Sequence, residues 1–365
     1  MGALAAAAVV VSGCTPPPAD RGAAVEEMIS FVEQQRQLPF LSPPVVTFVD
    51  EAAFVERVEA MVDEGAESLA LDEVAFKALG WMNPDDSLSE KYRIAFGSGV
   101  MGFYDPLTGE LAVRGQELTA YRTEVVVHEL VHALDDQHFV LDEGDSGEAG
   151  LIDSARLGFL VGVEGDASAI QNSWGQYRGA AHQAASLVEQ LSMPISPELL
   201  SVPIALLSLA QAPYLQGPRF VAALGGNAGI DAMLTNPPVS EEQAWFPDRY
   251  VAGDVPVDLP DPAADGPEVL RGGFGPFLLT LMIQSGISLD AVAHPATAGW
   301  AGGEYVTWRQ GDASCIRISL RYDTEQQADG LRGQLATWAA GAANAQIVAD
   351  GVDTAITSCD RAVAG

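Results

Sequence analysis

The stretch TEVVVHELVHALDDQHF, residues Thr123–Phe139, contains three of the five histidines in the chain. Its apolar residues predict one helix from about Leu118 to Phe139. Apart from Glu129, the residues that flank the first two histidines, His128 and His132, are apolar and uncharged. We therefore expect this helix to be buried on all sides, as a rigid platform for the few polar side chains that it carries.

Within this helix, the letters HELVH place a glutamate directly after one histidine and a second histidine four residues after the first. Residues four apart on an α-helix lie on the same face, so the imidazoles of His128 and His132 can bind one metal ion. Glu129 lies about 100° round the helix from His128, where it can bond to a water near the metal but is badly placed as a ligand. These residues match the HExxH zinc signature, in which zinc activates a water and the glutamate takes its proton. The alternative is an ordinary buried helix with two hydrogen-bonded histidines.

A catalytic zinc ion needs a third protein ligand and one open position. Glu164 is the favoured candidate, because it is a carboxylate in an otherwise apolar helical stretch, GFLVGVEGDASAI, where an unpaired charge is costly. The rival, His138, lies six residues after His132 and about 120° away from its face. Asp166 lies about 160° from Glu164 on the same predicted helix, so we expect it to point away from the metal.

Two further polar residues are candidates for holding the ligands in position. Asp135 projects on the face of both histidines near the helix C-terminus, where the helix dipole disfavours negative charge. A carboxylate that orients an imidazole explains this position, and a solvated helix end explains it equally well. Ser168 is the second candidate, because it shares the helical face of Glu164.

The rest of the chain predicts an α+β protein that is mostly helical. The stretch SGVMGFYDPLTGELAVRG, residues 98–115, is typical of a β-hairpin with DPLTG as its turn. We also expect a short strand, a second long helix and a proline-rich surface loop, at Pro43–Asp50, Leu151–Trp174 and Asn236–Pro267 respectively. Residues 299–365 predict a small ββαββ unit.

The chain carries a formal net charge of -32, from 50 acidic and 18 basic residues. Such a balance argues against nucleic acid as a partner, because phosphate binding needs clustered lysine and arginine. The surface acid is expected to keep the protein soluble. A preference for cationic substrates is a second, sharper interpretation.

The N-terminal letters MGALAAAAVVVSGC resemble an export signal. The apolar run Ala3–Val11 is too short to cross a bilayer as a helix and is typical of a signal peptide. The end of the run, Val11 to Cys14, resembles the cleavage box of bacterial lipoproteins, although no Lys or Arg precedes it. That resemblance implies a signal peptide at 1–13, a diacylglycerol on Cys14 and a Pro-rich tether at 14–24, with the protein exported to the outer face of the cell membrane. The alternative is a cleaved signal with an incidental cysteine.

The chain has three cysteines. If Cys14 carries lipid, Cys315 and Cys359 remain. We expect these two to form a disulfide, because an exported protein folds in an oxidising setting. The bond would tie the second strand of the C-terminal unit to its end.

Together, the motifs resemble the gluzincin branch of zinc metallopeptidases, in which HExxH supplies two histidines and a following helix supplies a glutamate. More narrowly, they resemble a group of bacterial thermolysin-like proteins with a GFYD hairpin, an HExxH helix that continues into DQHF, and an EGDA helix. The corresponding segments here are Gly102–Asp105, His128–Phe139 and Glu164–Ala167, with further similarity in PYLQGPRFV at 213–221 and PPVSEEQAWFPDRY at 237–250. The resemblance covers about residues 43–250 and implies a mostly helical, zincin-like metallopeptidase domain at 25–298.

The resemblance also implies how such a protein would act. One zinc ion per chain would be held by His128, His132 and Glu164, with Glu129 as general base and then proton donor. A strand before the metal helix, either 99–104 or its hairpin partner, would pair with an extended peptide substrate.

Peptide hydrolysis by this route usually needs a donor to the developing oxyanion. The candidates are side chains that can donate a hydrogen bond: Tyr214, Tyr250, Arg249, Tyr177 and His182. Tyr214 and Tyr250 are favoured, because they lie in the segments that carry the resemblance. For each of them the alternative is a packed aromatic side chain.

The sequence therefore predicts a membrane-anchored, extracytoplasmic zinc peptidase that acts on peptide or protein substrates. A non-catalytic lipoprotein with a zincin fold, which binds or scaffolds a partner, is the alternative. A solute-binding lipoprotein is disfavoured, since it needs two α/β lobes and the middle of this chain is mostly helical.

Overall fold

A computed structural model describes residues 21–141, 150–283, 297, 299–342 and 344–361. The expected signal peptide at 1–13, the lipid site at Cys14 and the first residues of the tether lie outside the described residues. Among the described residues, none of the helices combines the length and the apolar character that crossing a bilayer requires.

The described chain begins with four helices and one strand. They are α1 (Arg21–Arg36), β1 (Val46–Val49), α2 (Glu51–Glu64), α3 (Ala66–Ala78) and α4 (Leu88–Gly99). Side chains that accept from free backbone N–H groups start two of these helices. Asp50 accepts from Ala53 N at 3.0 Å before α2, and Ser87 accepts from Glu90 N at 3.4 Å before α4.

The predicted hairpin is formed by β2 (Gly102–Asp105) and β3 (Glu110–Arg114). Its turn is held by Asp105, whose carboxylate accepts from Leu107 N at 2.9 Å, and by Gly109, whose φ of 70° suits glycine. β1 pairs with β3 in parallel, which gives the sheet order β1–β3–β2. Within the described chain, β2 is therefore the edge strand of the hairpin.

Two long helices, α5 (Ala120–Phe139) and α6 (Ser154–Arg178), form the centre of the fold and confirm the two long helices that the sequence predicts. α6 packs against α5 on one side and against α8 (Ile204–Ala223) on the other. The chain between α6 and α8 forms α7 (Ala180–Ser192) and a 3-10 turn at Pro197–Ser201.

Small residues let α6 approach its neighbours closely. A Cβ atom placed on Gly165 would lie 2.5 Å from the carbonyl oxygen of Gly217 in α8. Gly162 likewise faces the side chain of Met233 in α9 (Asn227–Thr235). α6 and α8 therefore touch backbone to backbone.

The structure corrects the prediction of one proline-rich surface loop at 236–267. This segment contains α10 (Glu241–Trp245), in which every residue is buried, and α11 (Pro247–Ala252). The carboxylate of Glu241 accepts a hydrogen bond from Phe277 N at 2.8 Å. That N–H lies in the first turn of the helix that begins at Pro276, where backbone N–H groups have no partner within the helix. The bond helps to hold the segment inside the fold.

The C-terminal part of the chain forms a five-stranded antiparallel sheet. Its elements are β4 (Glu268–Gly273), α12 (Pro276–Ile283), β5 (Trp300–Gln310), β6 (Ala313–Tyr322), α13 (Glu325–Gly341), β7 (Gln346–Asp350) and β8 (Asp353–Cys359). The strand order is β4–β5–β6–β8–β7, which contains the predicted ββαββ order from β5 to β8. β4 is not predictable from the sequence, because EVLRGG offers few apolar side chains and no sustained alternation.

The predicted disulfide joins Cys315 and Cys359. These residues face each other across β6 and β8, with their Cα atoms 4.1 Å apart. They pack with Val306, Trp308 and Ala313 in a small apolar cluster. The bond therefore ties the second strand of the predicted unit to its last strand.

Candidate metal centre

The central helix α5 carries the first two candidate ligands. The hydroxyl of Thr119 caps it by accepting from Arg122 N at 3.3 Å, and the helix is buried from Thr123 to Asp135. His128 and His132 lie one turn apart with their ring centroids separated by 4.7 Å. Because they are four residues apart, both imidazoles project from the same face of α5, with their ring planes 84° apart.

Glu164 of α6 completes a group of three possible ligand atoms. Its Oε2 lies 3.0 Å from Nε2 of His128 and 3.5 Å from Nε2 of His132, and the two Nε2 atoms are 3.0 Å apart. A tetrahedral zinc ion with bonds of about 2.1 Å would hold its ligand atoms about 3.4 Å from one another. The three side chains therefore have donor types and spacings that could hold such an ion.

Gln171 determines which nitrogen of His128 carries a hydrogen. Its Oε1 lies 3.0 Å from Nδ1 of His128, and an amide oxygen only accepts, so Nδ1 is the donor in this contact. Nε2 of His128 faces the carboxylate of Glu164 and Nε2 of His132. These atoms need a proton or a cation between them. Ser168, which the sequence predicts as a residue that positions the ligands, is buried one turn after Glu164. Gln171 also contacts a ligand, and the sequence does not single it out.

The two glutamates of the centre differ in electrostatic character. Burial would raise the pKa of Glu164, but His132 and His128 hold it well below its usual range. Burial raises the pKa of Glu129 to about 7, and the charge of Glu164 adds to this effect, while His128 and the N–H of Tyr104 oppose it. Glu129 is buried beside the ligand group and is not part of it. A carboxyl group with a pKa near neutrality can take up and release a proton.

Of the predicted oxyanion donors, the structure places Tyr214 at the centre. Its ring lies nearly parallel to the ring of His128, with the centroids 5.8 Å apart. The negative charge of Glu164, together with desolvation and a hydrogen bond to the same carboxylate, raises the pKa of Tyr214 well above its usual value, while the residue as a whole is 49% exposed. The phenol therefore stays protonated and can donate.

The remaining candidates have contacts elsewhere. The Tyr250 hydroxyl donates to Asn236 O at 2.7 Å, His182 pairs with Glu124 at 3.3 Å, Arg249 pairs with Asp254 at 2.9 Å, and the Tyr177 ring packs on Phe31. The rival metal ligand, His138, has its Nε2 2.8 Å from Pro39 O. The described structure does not bring these side chains to the pair of histidines on α5.

Asp135 forms part of a buried ionic cluster around Arg36, a residue that the sequence analysis missed. Oδ1 of Asp135 accepts from Arg36 Nε at 2.9 Å, and Oδ2 of Asp166 lies 2.8 Å from the same nitrogen. Because that hydrogen points to Asp135, Asp166 is held by charge rather than by a directed hydrogen bond. Asp231 accepts from Arg36 Nη2 at 2.9 Å. Burial raises the pKa of both Asp135 and Asp166, and Asp166 lies outside the ligand group, as predicted.

The polar end of α5 is tied to the neighbouring chain. The Tyr104 hydroxyl donates to Asp136 at 2.7 Å, which joins α5 to the hairpin. The side chain of Gln137 accepts from Leu41 N at 2.7 Å and from Ser42 N at 3.0 Å. These bonds give the acidic and polar residues after the HELVH motif a structural role.

Two cavities, of about 500 and 320 Å³, lie beside the centre and share part of their lining. His128, Glu129, Gly102 and Tyr214 line both, and most of the other lining side chains are apolar. A Cβ atom on Gly102 would lie 2.6 Å from Val125 Cγ1 and 3.1 Å from Glu129 Oε1, so β2 runs directly beside Glu129. The cavities therefore follow the edge strand on both sides of the candidate ligands.

Comparison with known protein families concerns the C-terminal part of the chain. A family model described as Domain of unknown function (DUF8575) matches residues 221–363, from the end of α8 through the five-stranded sheet. The match covers less than half of the chain and does not include the HELVH helix or Glu164. No curated protein and no solved structure matches the chain.

Proposed function

We propose that this protein is a zinc-dependent peptidase with a zincin-like core, anchored to the outer face of the cell membrane through Cys14. The observation that carries the proposal is the convergence of His128 Nε2, His132 Nε2 and Glu164 Oε2, at separations of 3.0 to 3.5 Å, beside the buried Glu129. The gluzincin resemblance of these residues and the signal-like N-terminus support it.

The side chains around the ligand group have different roles in the proposed peptide hydrolysis. A zinc ion bound there would act as a Lewis acid on a water molecule and a peptide carbonyl. Glu129 takes a proton from the attacking water and passes it to the leaving amine. The protonated hydroxyl of Tyr214 donates to the carbonyl oxygen as negative charge develops on it.

The two cavities beside β2 favour an extended peptide as the substrate. As an edge strand, β2 has backbone N–H and C=O groups, apart from the Tyr104 N–H that bonds to Glu129, that can pair with a peptide laid beside it. The two cavities that meet at His128 and Glu129 then receive side chains from the two sides of the bond that is cleaved. Their mostly apolar linings favour apolar side chains at those positions.

Replacing Glu129 tests the mechanism directly. Glu129→Gln removes the proton acceptor but leaves all three ligands, so we expect the wild-type zinc content by metal analysis and a loss of cleavage of about 10³-fold in a peptide-library digest. Glu117→Gln, at an exposed position just before the same helix, is the control and should cleave like the wild type. Equal cleavage by Glu129→Gln and the wild type would refute the mechanism.

The same digest separates the peptidase from a non-catalytic lipoprotein. A peptidase should lose cleavage when a chelator removes zinc and regain it when zinc is returned. A protein that holds zinc but cleaves no peptide under either condition would instead be a binding or scaffolding protein with this fold.

A further inference from the structure

Helix α7 turns its polar side toward the protein. Ser186 donates to Glu124 of α5 at 2.5 Å, and His182 pairs with the same carboxylate at 3.3 Å. One turn further on, Glu189 accepts from the Thr119 hydroxyl at 2.6 Å. The side of α7 that faces α5 is therefore held by the hydrogen bonds of Ser186 and Glu189.

The opposite side of α7 is apolar and faces solvent. Leu187, Val188 and Leu191 are 55%, 64% and 78% exposed, and Ile195 and Leu200, just beyond the helix, are 80% and 91% exposed. Surface helices of soluble proteins normally bury their apolar side and expose their polar side. An apolar surface of this kind marks a place where a partner or a lipid surface binds.

The described chain begins near the polar side of α7, about one helix diameter from the apolar side. Arg21, the first residue of α1, donates to the carbonyl oxygen of Gln116. Gln116 lies three residues before Thr119, which contacts Glu189 of α7. Residues 15–20 join Arg21 to Cys14, and the whole segment spans at most about 25 Å when fully extended. A lipid on Cys14 would therefore bring a bilayer within reach of α7.

We propose that the apolar side of α7, formed by Leu187, Val188 and Leu191, docks on the surface of a lipid bilayer together with Ile195, which follows the helix. The inference rests on the proposed Cys14 anchor as the reason why a membrane is close. None of the four side chains is charged, and the protein carries a net charge of -32. Binding should thus favour vesicles of neutral phosphatidylcholine over anionic vesicles, and binding to the neutral vesicles should depend little on salt.

A local fluorescence label tests this docking without zinc or cleavage. The full chain with Cys14→Ser, which removes the lipid site, receives an environment-sensitive dye on either Leu191→Cys or Val348→Cys. Val348 is the matched control, because it is 66% exposed and lies on β7 in the C-terminal sheet. With phosphatidylcholine vesicles we expect a blue shift of the dye at 191 and none at 348.

Binding itself gives a second measurement. Leu187→Gln with Leu191→Gln should lower the partition of the Cys14→Ser chain into these vesicles roughly tenfold or more, while Val348→Gln leaves it unchanged. Circular dichroism should be unaltered in all variants, because the changed side chains point to solvent. Partition that is equal in all of them would overturn the proposal.

Three other results would also overturn it. The dye at 191 could remain unshifted with vesicles. It could be shifted without vesicles and lose the shift on dilution, which would assign this side of α7 to contact with a second copy of the chain. It could be shifted without vesicles at every concentration, which would assign it to the N-terminal segment of the same chain. Each is distinguishable from a failure of the proposed peptidase, because Glu129→Gln should dock like the wild type.

Discussion

The α5–α6 helix pair and the C-terminal sheet differ in how far their ion pairs are exposed to water. Beside the helix pair, Arg36, Asp135 and Asp166 form an ionic cluster in which each side chain is at most 1% exposed. In the sheet, Arg321 pairs with Asp353 at 2.7 Å, but the two side chains are 36% and 45% exposed. The disulfide and its apolar cluster hold two strands of the sheet together, and the Arg321–Asp353 pair remains in contact with water.

This difference bears on where function is located. Removing charged groups from water costs several kcal/mol per ion, so a buried ionic cluster is a poor way to hold two helices together. The sheet demonstrates that this chain can pack without such a cluster. The helix pair buries charge where His128, His132 and Glu164 converge, and the proposed chemistry is therefore assigned to this region and not to the sheet.

The largest expected effect comes from removing the carboxylate ligand. Glu164→Gln keeps the size of the side chain but removes its charge, so zinc content should fall from one ion per chain to near zero and cleavage should fall to background. The corresponding change in the sheet, Asp353→Asn, should leave both quantities unchanged. Metal analysis and the peptide digest measure the two effects; normal zinc content in Glu164→Gln would remove this residue from the ligand set.

The buried cluster should respond strongly to loss of its cation. Arg36→Met leaves Asp135 and Asp166 without a partner of opposite charge, and breaking such a buried pair costs about 3–5 kcal/mol of unfolding free energy. The matched change in the sheet, Arg321→Met, should shift the urea midpoint far less, because its pair is exposed to solvent. If both variants had the same midpoint, the contrast between the two regions would have no energetic basis.

The disulfide should matter to the sheet and not to the metal centre. Cys315 and Cys359 are separated by 44 residues, and closing a loop of that size restricts the unfolded chain by about 4 kcal/mol at most. Cys315→Ser with Cys359→Ser should therefore lower the thermal midpoint while zinc content at 25 °C stays at the wild-type level. A loss of zinc in this variant would mean that the two regions depend on each other.

The smallest expected effect concerns the phenol at the centre. Tyr214→Phe should reduce kcat about 100-fold with little change in zinc content, because it removes one donor to the oxyanion. Tyr250→Phe is the control, since the Tyr250 hydroxyl donates to Asn236 O and should leave kcat unchanged. Unchanged kcat in Tyr214→Phe would mean that another group supplies this hydrogen bond.

The features that were predictable from the sequence are those that depend on local periodicity. The spacing of His128 and His132 fixes their common face once the helix is recognised, and the structure places both beside Glu164. The β-hairpin follows from its turn residues, and the disulfide follows from the number of cysteines left over. Whether the convergent side chains hold zinc stays a prediction.

The features that were missed depend on contacts between distant parts of the chain. Arg36 lies 99 residues before Asp135, so no local pattern links them. The prolines around Glu241 predict a surface loop, whereas its carboxylate accepts a hydrogen bond from a backbone N–H in the first turn of α12. Tyr214 and Tyr250 could not be ranked by sequence, because their distances from the histidines depend on how α8 and α11 pack.

The glycine contact between α6 and α8 has a mechanical consequence for the centre. Gly165 directly follows Glu164, and Gly217 lies three residues after Tyr214, so the helices touch next to both groups. No side chain lies in this joint that could compress or change rotamer. A larger residue at Gly165 or Gly217 would push α6 and α8 apart and move the phenol away from the carboxylate. The relative position of the Tyr214 phenol and the Glu164 carboxylate is therefore set by contact between two main chains, which leaves little freedom for either helix to shift.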